Sequence, residues 1–299
     1  MNNLLIVGTG ALATLFAARL SQAGNQIAML GTWKAGLDAL RKDGARVLEL
    51  DGSEHQFEVQ ATDDPHKYRG IKYVLVLVKA WQTEHVAAQL KECLAEDGLV
   101  LTLQNGLGNQ ETLVQSLGLS RVALGTTTTG ATLLSPGVVK AGGEGMISIE
   151  RHQVLGPIQE ALKSANFNVT VVNDAQSLIW GKLVISAAIN PLTALLRIPN
   201  GKLLESPSAR EMMGVLASET AQVAEAEKIH LPFSDPIAAA EDVARKTAAN
   251  HSSMLQDVLR GAPTEIDAIC GGVVRVAQKH NIDTPANWGC WKLVKAITE

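Results

Sequence analysis

Apolar residues fall into two regimes along this chain. Up to about residue 173, short apolar runs alternate with helical stretches: Leu4-Leu5-Ile6-Val7, then 26–30, 73–78, 99–103 and 122–125. The run Tyr73-Val74-Leu75-Val76-Leu77-Val78 is nearly continuous, as in a strand buried on both faces of a parallel sheet. Residues 45–59, with Asp51-Gly52 as turn signal, read as an inserted hairpin. Residues 131–149, broken by Ser135-Pro136-Gly137 and Ala141-Gly142-Gly143, read as a β-meander closing the sheet. A helix over 154–165 and a strand over 167–172 complete this half. After Asn173-Asp174 the β pattern stops, and helices are predicted over 180–196, 206–227, 235–249, 264–280 and 287–297, with a further segment from His251. The switch predicts an α/β domain over 1–173 and an all-α domain over 174–299.

The first strand runs into Gly8-Thr9-Gly10-Ala11-Leu12-Ala13, after which Leu15, Phe16, Ala18, Arg19 and Leu20 take up helical spacing. Strand, glycine turn and helix form the context of the Rossmann dinucleotide fingerprint. Gly8 permits the tight turn, Gly10 lets backbone approach a pyrophosphate, and Ala13 lets helix pack on strand. The phosphates would rest on the helix N-terminus. A plain strand-to-helix turn has the same short pattern. The second strand ends in Gly31-Thr32-Trp33-Lys34, where an NAD site would carry an acid. Thr32 and Lys34 suit a 2′-phosphate, although Lys34 also reads as an ordinary solvated helix start. Trp33 could pack on the adenine or cover the sheet edge. Lys79 and Asn105 stand at carboxyl ends of strands, where open α/β sheets bind ligands. For Asn105, which precedes a glycine, turn chemistry is the alternative.

In the stretch 180–196, Lys182, Ser186 and Asn190 are four apart and share one helix face, while the rest is Val, Ile, Leu and Ala. Burying a lysine without a partner is expensive, so either the stripe faces a functional cleft, or Lys182 snorkels to solvent and Ser186 and Asn190 are satisfied in the core. Pro191 removes a hydrogen bond and predicts a kink.

The chain has 299 residues and a formal net charge of -4, which gives no basic footprint for nucleic acid. The start lacks a basic leader and no run approaches the roughly 20 apolar residues of a membrane span, so a cytoplasmic location and no membrane are expected. The cysteines, 3 in number, and the histidines, 7 in number, show no ligand spacing, so no metal is expected. Nothing indicates a macromolecular partner, and a homodimer stays open.

Lys79-Ala80-Trp81-Gln82, Gln104-Asn105-Gly106, Lys182-Leu183, Asn190-Pro191-Leu192-Thr193-Ala194-Leu195, Pro199-Asn200-Gly201, and Ser252-Ser253-Met254-Leu255-Gln256-Asp257 followed by Thr264-Glu265-Ile266-Asp267 stand in this order. In these strings the chain resembles the ketopantoate reductases, the 2-dehydropantoate 2-reductase family. The resemblance implies a Rossmann domain followed by an all-α domain, with NADPH at their junction and the active site in the cleft between them. It implies hydride transfer to the C2 ketone of a small 2-oxoacid, ketopantoate, giving pantoate for pantothenate and coenzyme A. Lys182 would be the general acid, and Glu265 would help hold Lys182 or the substrate hydroxyl; Asn105, Ser186, Asn190 and Ser253 would bind substrate; Lys79 and Asn105 would lie against the cofactor. Two positions depart from the family: Ser186 stands where a second asparagine is usual, and Thr32 where arginine is common. The alternatives are a relative acting on another branched 2-oxoacid and a non-catalytic dinucleotide sensor.

Overall fold

The computed structural model describes residues 4–143 and 145–299, so Met1–Asn3 of the expected leaderless start and Glu144 of the expected meander lie outside the described residues. Strands and helices alternate from β1 (Leu4–Val7) through α1 (Ala11–Gln22), β2 (Ile27–Leu30), α2 (Lys34–Asp43), β3 (Ala45–Leu48), β4 (Glu54–Phe57), β5 (Gln60–Thr62) and β6 (Ile71–Val76). They continue with α3 (Thr83–Cys93), β7 (Leu94–Thr102), α4 (Asn109–Leu117), β8 (Val122–Thr127), β9 (Ala131–Ser135), β10 (Val138–Ala141), β11 (Met146–Glu150), α5 (Gly156–Ser164) and β12 (Asn168–Val172). Helices follow: α6 (Ala175–Leu196), α7 (Lys202–Glu205), α8 (Pro207–Ala226), α9 (Pro236–Lys246), α10 (Ser253–Leu259), α11 (Cys270–Lys279) and α12 (Pro285–Ala296).

The chain divides into two compact units, one of residues 1–104 and 109–175, the other of 105–108 and 176–299. In the first, an eight-stranded sheet has the order β12-β11-β8-β7-β6-β1-β2-β5. From β5 to β8 all neighbours are parallel. This is the doubly wound order, with its topological switch between β1 and β6, where ligands bind such sheets. Alternation along β1 builds both layers: Leu4 and Ile6 enter one core cluster, Leu5 and Val7 the other.

The meander corrects the sequence expectation. Only β11 joins the main sheet, antiparallel to β8, whereas β9 and β10 pair with the expected hairpin β3–β4 in a separate four-stranded sheet. The reason lies in α1, which packs on β1 and β2 and also on β3, β4, β9 and β10. Its residues 13–18 are all buried, and Phe16 stacks on Phe167 with ring centroids 4.3 Å apart. A helix apolar on nearly every side needs a second cover, and the small sheet supplies it.

In the second unit, α6 contributes Val184, Ala187, Ala188 and Ala194, all fully buried, to a core shared with α8, α11 and α12. This helix runs through Pro191 without a break. It is also long and apolar enough to cross a membrane by length and composition, contrary to the expectation that no run approached that limit. Most of its apolar window is buried, as in the core helix of a globular domain. Helix α11 begins at Cys270, six residues later than expected. Residues 265–269 form a bend and turns: the Ala268 and Ile269 amides both donate to the Glu265 carbonyl, and the Ala268 carbonyl accepts from Leu107 N–H at 2.9 Å.

Candidate active site and dinucleotide loop

In the helical unit, Lys182 near the start of α6 donates from Nζ to Asn105 Oδ1 at 2.6 Å. Asn105 Nδ2 in turn donates to Glu265 Oε2 at 3.2 Å. Three residues singled out from the sequence thus converge, although Glu265 stands on a turn rather than the helix that periodicity predicted. Glu265 is buried, and Lys182 and Asn105 are half-buried. Burial pushes the Lys182 ammonium down from 10.5 to about 8, while the Glu265 carboxylate pulls it back up. The result is a cation poised to release a proton near neutral pH.

The backbone holds this group by close approach. Gly106 has φ +81°, and a Cβ on it would meet Ala268 Cβ at 2.6 Å and Ala268 O at 2.7 Å. Only glycine lets the loop bearing Asn105 press against the turn bearing Glu265.

Ser186 and Asn190 follow Lys182 one and two turns on, both half-buried. Ser253 opens α10 and is exposed. Its neighbour Ser252, which received no role from sequence, is buried and caps α10 by accepting from Leu255 N–H at 3.0 Å. The Ser252 hydroxyl also lies 2.7 Å from Thr193 Oγ1 on α6, fixing α10 against the lysine-bearing helix. A serine directly before a helical run was the signal. A second residue without a sequence role is Glu219 on α8, buried, whose carboxylate accepts from the Ala286 and Asn287 amides and from Asn287 Nδ2, each at 2.9 Å. It caps α12, whose own N-cap, Thr284, makes no side-chain bond.

In the α/β unit, Gly8 has φ +133°, and a Cβ there would crowd Ala13 Cβ and the Leu77 backbone at 3.2 Å. Gly10 would meet nothing within 4 Å. Helix α1 starts at Ala11 with no side-chain cap and no acid in its first turn, so the amides of Ala11, Leu12 and Ala13 are left to another acceptor. Thr9 is buried beside β2: a Cβ on Gly31 would lie 2.7 Å from Thr9 Cγ2. Thr32 and Lys34 are exposed, and Lys34 opens α2, whose first turn has neither acid nor side-chain cap. A cation at a helix N-terminus is unfavourable unless an anion joins it. These features fit a dinucleotide with a phosphorylated ribose. Lys79, half-buried, lies past the end of β6 and caps the following 3-10 turn. Among the described residues, no group of three or more His, Cys, Asp or Glu could hold a metal. Cys93, Cys270 and Cys290 are buried free thiols that burial pushes above their ordinary range.

The profile "Ketopantoate reductase PanE/ApbA" matches residues 4–153, and "Ketopantoate reductase PanE/ApbA C terminal" matches 174–298. The chain belongs to the ketopantoate reductase family. It is 34% identical to a 2-dehydropantoate 2-reductase of Halobacterium salinarum over 94% of each chain. To the Archaeoglobus fulgidus enzyme of that name it is 36% identical, over 98% of this chain and 96% of the relative. Among solved structures, a PanE/ApbA family ketopantoate reductase from Ralstonia eutropha matches with a TM-score of 0.92 at 30% identity, over 99% of this chain and 98% of that one. A D-mandelate dehydrogenase with NADH and anilino(oxo)acetate matches with a TM-score of 0.93 at 24% identity, over 99% and 98%, a likeness of fold.

Proposed function

We propose that the protein reduces 2-dehydropantoate to pantoate with NADPH, residues 1–173 binding the cofactor and 174–299 the substrate, with Lys182 as general acid. The observation that carries the reading is the chain from Lys182 to Asn105 to Glu265 in a protein alike over 94% of its length to a 2-dehydropantoate 2-reductase. When bound, the reduced nicotinamide supplies the hydride. Hydride addition to a ketone leaves negative charge on oxygen, and Lys182 Nζ stabilises that charge and then donates its proton to it. Glu265 keeps Lys182 protonated in its buried position, which is why a lysine near 8 still carries charge at pH 7. Asn105 orients the ammonium by accepting one of its N–H bonds. Ser186 and Asn190 offer hydrogen bonds along the same face of α6, and Ser253, at the start of α10, suits the substrate carboxylate.

On the cofactor side, Gly8, Thr9, Gly10, Ala11, Leu12 and Ala13 would hold the pyrophosphate, Thr32 and Lys34 the 2′-phosphate, and Lys79 and Asn105 the nicotinamide half. This is an enzyme for the cytoplasm and for a small-molecule substrate. One observation favours a second reading: Ser186 is shorter than asparagine and makes fewer hydrogen bonds, which would suit another branched 2-oxoacid.

Initial-rate oxidation of NADPH and NADH, each with 2-dehydropantoate and with a panel of branched 2-oxoacids, tests both readings. The first predicts fastest turnover with NADPH and 2-dehydropantoate. Turnover confined to another 2-oxoacid would replace it with the second.

A further inference from the structure

Trp33 sits between β2 and α2, and 39% of its surface is exposed. Its benzo ring is seated on the first turn of α2: a Cβ on Gly36 would lie 2.4 Å from Trp33 Cε3 and 2.9 Å from Cζ3. Gly36 is buried by this contact, so the indole rests where only glycine leaves room. Such a ring loses little freedom when something stacks on its open surface.

Covering the sheet edge does not account for Trp33. The edge strand is β5, and two of its carbonyls already have side-chain partners: Gln60 O accepts from Tyr68 Oη at 3.3 Å and Ala61 O from Arg41 Nε at 2.9 Å. Trp33 instead follows the end of β2, the strand paired with β1, which leads into the dinucleotide loop. Gly31, two residues before it, is packed against Thr9 of that loop, and Lys34, directly after it, opens α2.

We propose that Trp33, seated on Gly36, is the stacking platform for the adenine of the dinucleotide. The proposal rests on the NADPH reading above and adds a residue pair that sets affinity for the adenine half alone. An indole and a purine bury flat apolar faces against each other, and the Lys34 ammonium beside them attracts the phosphate on the adenosine ribose. Gly36 acts through Trp33 and is a positioning residue: alanine there fills the seat and displaces the ring.

The test is calorimetric titration of wild type, Trp33→Leu, Gly36→Ala and the double variant with adenosine 2′,5′-bisphosphate and with NADPH, alongside the KM for reduced nicotinamide mononucleotide, which has no adenine. Trp33→Leu is expected to weaken both adenine ligands about tenfold and to leave the mononucleotide KM unchanged. Gly36→Ala is expected to weaken the same two ligands, with no further loss when added to Trp33→Leu, because both act through one ring. Binding of the bisphosphate by Trp33→Leu within about twofold of wild type would overturn the platform and leave the NADPH reading standing. An equal loss for the mononucleotide would also overturn it, by showing a general distortion. If wild type bound neither adenine ligand, the dinucleotide reading itself would fall.

Discussion

Raising the pH from 7 to 9 is expected to slow ketone reduction by discharging Lys182. Burial lowers this group from 10.5 to about 8. A general acid works only while protonated, so activity is present below that value and lost above it. With a pKa of about 8, roughly nine in ten molecules carry the proton at pH 7 and roughly one in ten at pH 9, a fall of about tenfold. A lysine at its ordinary value would stay charged throughout that range. Oxidation of pantoate needs the unprotonated amine, so its rate is expected to rise across the same window. Replacing Glu265 by Gln removes the charge that holds the lysine up and is expected to move both limbs to lower pH. The assay is kcat against pH in both directions for wild type, Glu265→Gln and Lys182→Arg, the last keeping a cation that does not titrate in this range. A forward kcat that is flat to pH 9.5, or a limb that survives unchanged in Lys182→Arg, would refute the reasoning.

Gly106→Ala, which drives a methyl group into Ala268, is expected to lower kcat at least about tenfold and to weaken NADPH binding by calorimetry, since Asn105, assigned to both the lysine and the nicotinamide half, is forced away from Glu265. Gly8→Ala combines a positive φ with crowding against Ala13 and Leu77, and is expected to weaken NADPH binding in the same titration while the circular dichroism spectrum stays helical. Glu219→Ala orphans the Ala286 and Asn287 amides and removes the shortest bond of Asn287 Nδ2, and is expected to cost about 2–4 kcal/mol in urea unfolding with kcat per folded molecule unchanged.

Much of the α/β unit was legible because its strands are buried on both faces and read as apolar runs ending in turn residues, as at Val7-Gly8 and Val78-Lys79. The four-stranded sheet was not, because β9 and β10 carry ordinary hairpin patterning and only the apolar surround of α1 decides which sheet they join. In the helical unit, spacing grouped Lys182 with Ser186 and Asn190. It could not bring in Asn105, 77 residues from Lys182, or Glu265, 160 residues from Asn105, which meet through the Gly106–Ala268 contact. Position at a strand end marked Asn105, and resemblance named Glu265; the backbone explains their meeting. The late start of α11 escaped periodicity because spacing does not register the turn at 265–269, whose Ala268 carbonyl meets Leu107 far away in sequence.

The most direct test of the account is turnover of NADPH with 2-dehydropantoate by wild type and Lys182→Ala under saturating cofactor, with product formation followed as pantoate. The account predicts pantoate from wild type and a loss of about 10²–10⁴ in kcat for the variant, with NADPH still bound. Full turnover by Lys182→Ala would contradict the role of Lys182, and a wild type that binds NADPH without making pantoate would contradict the assigned reaction.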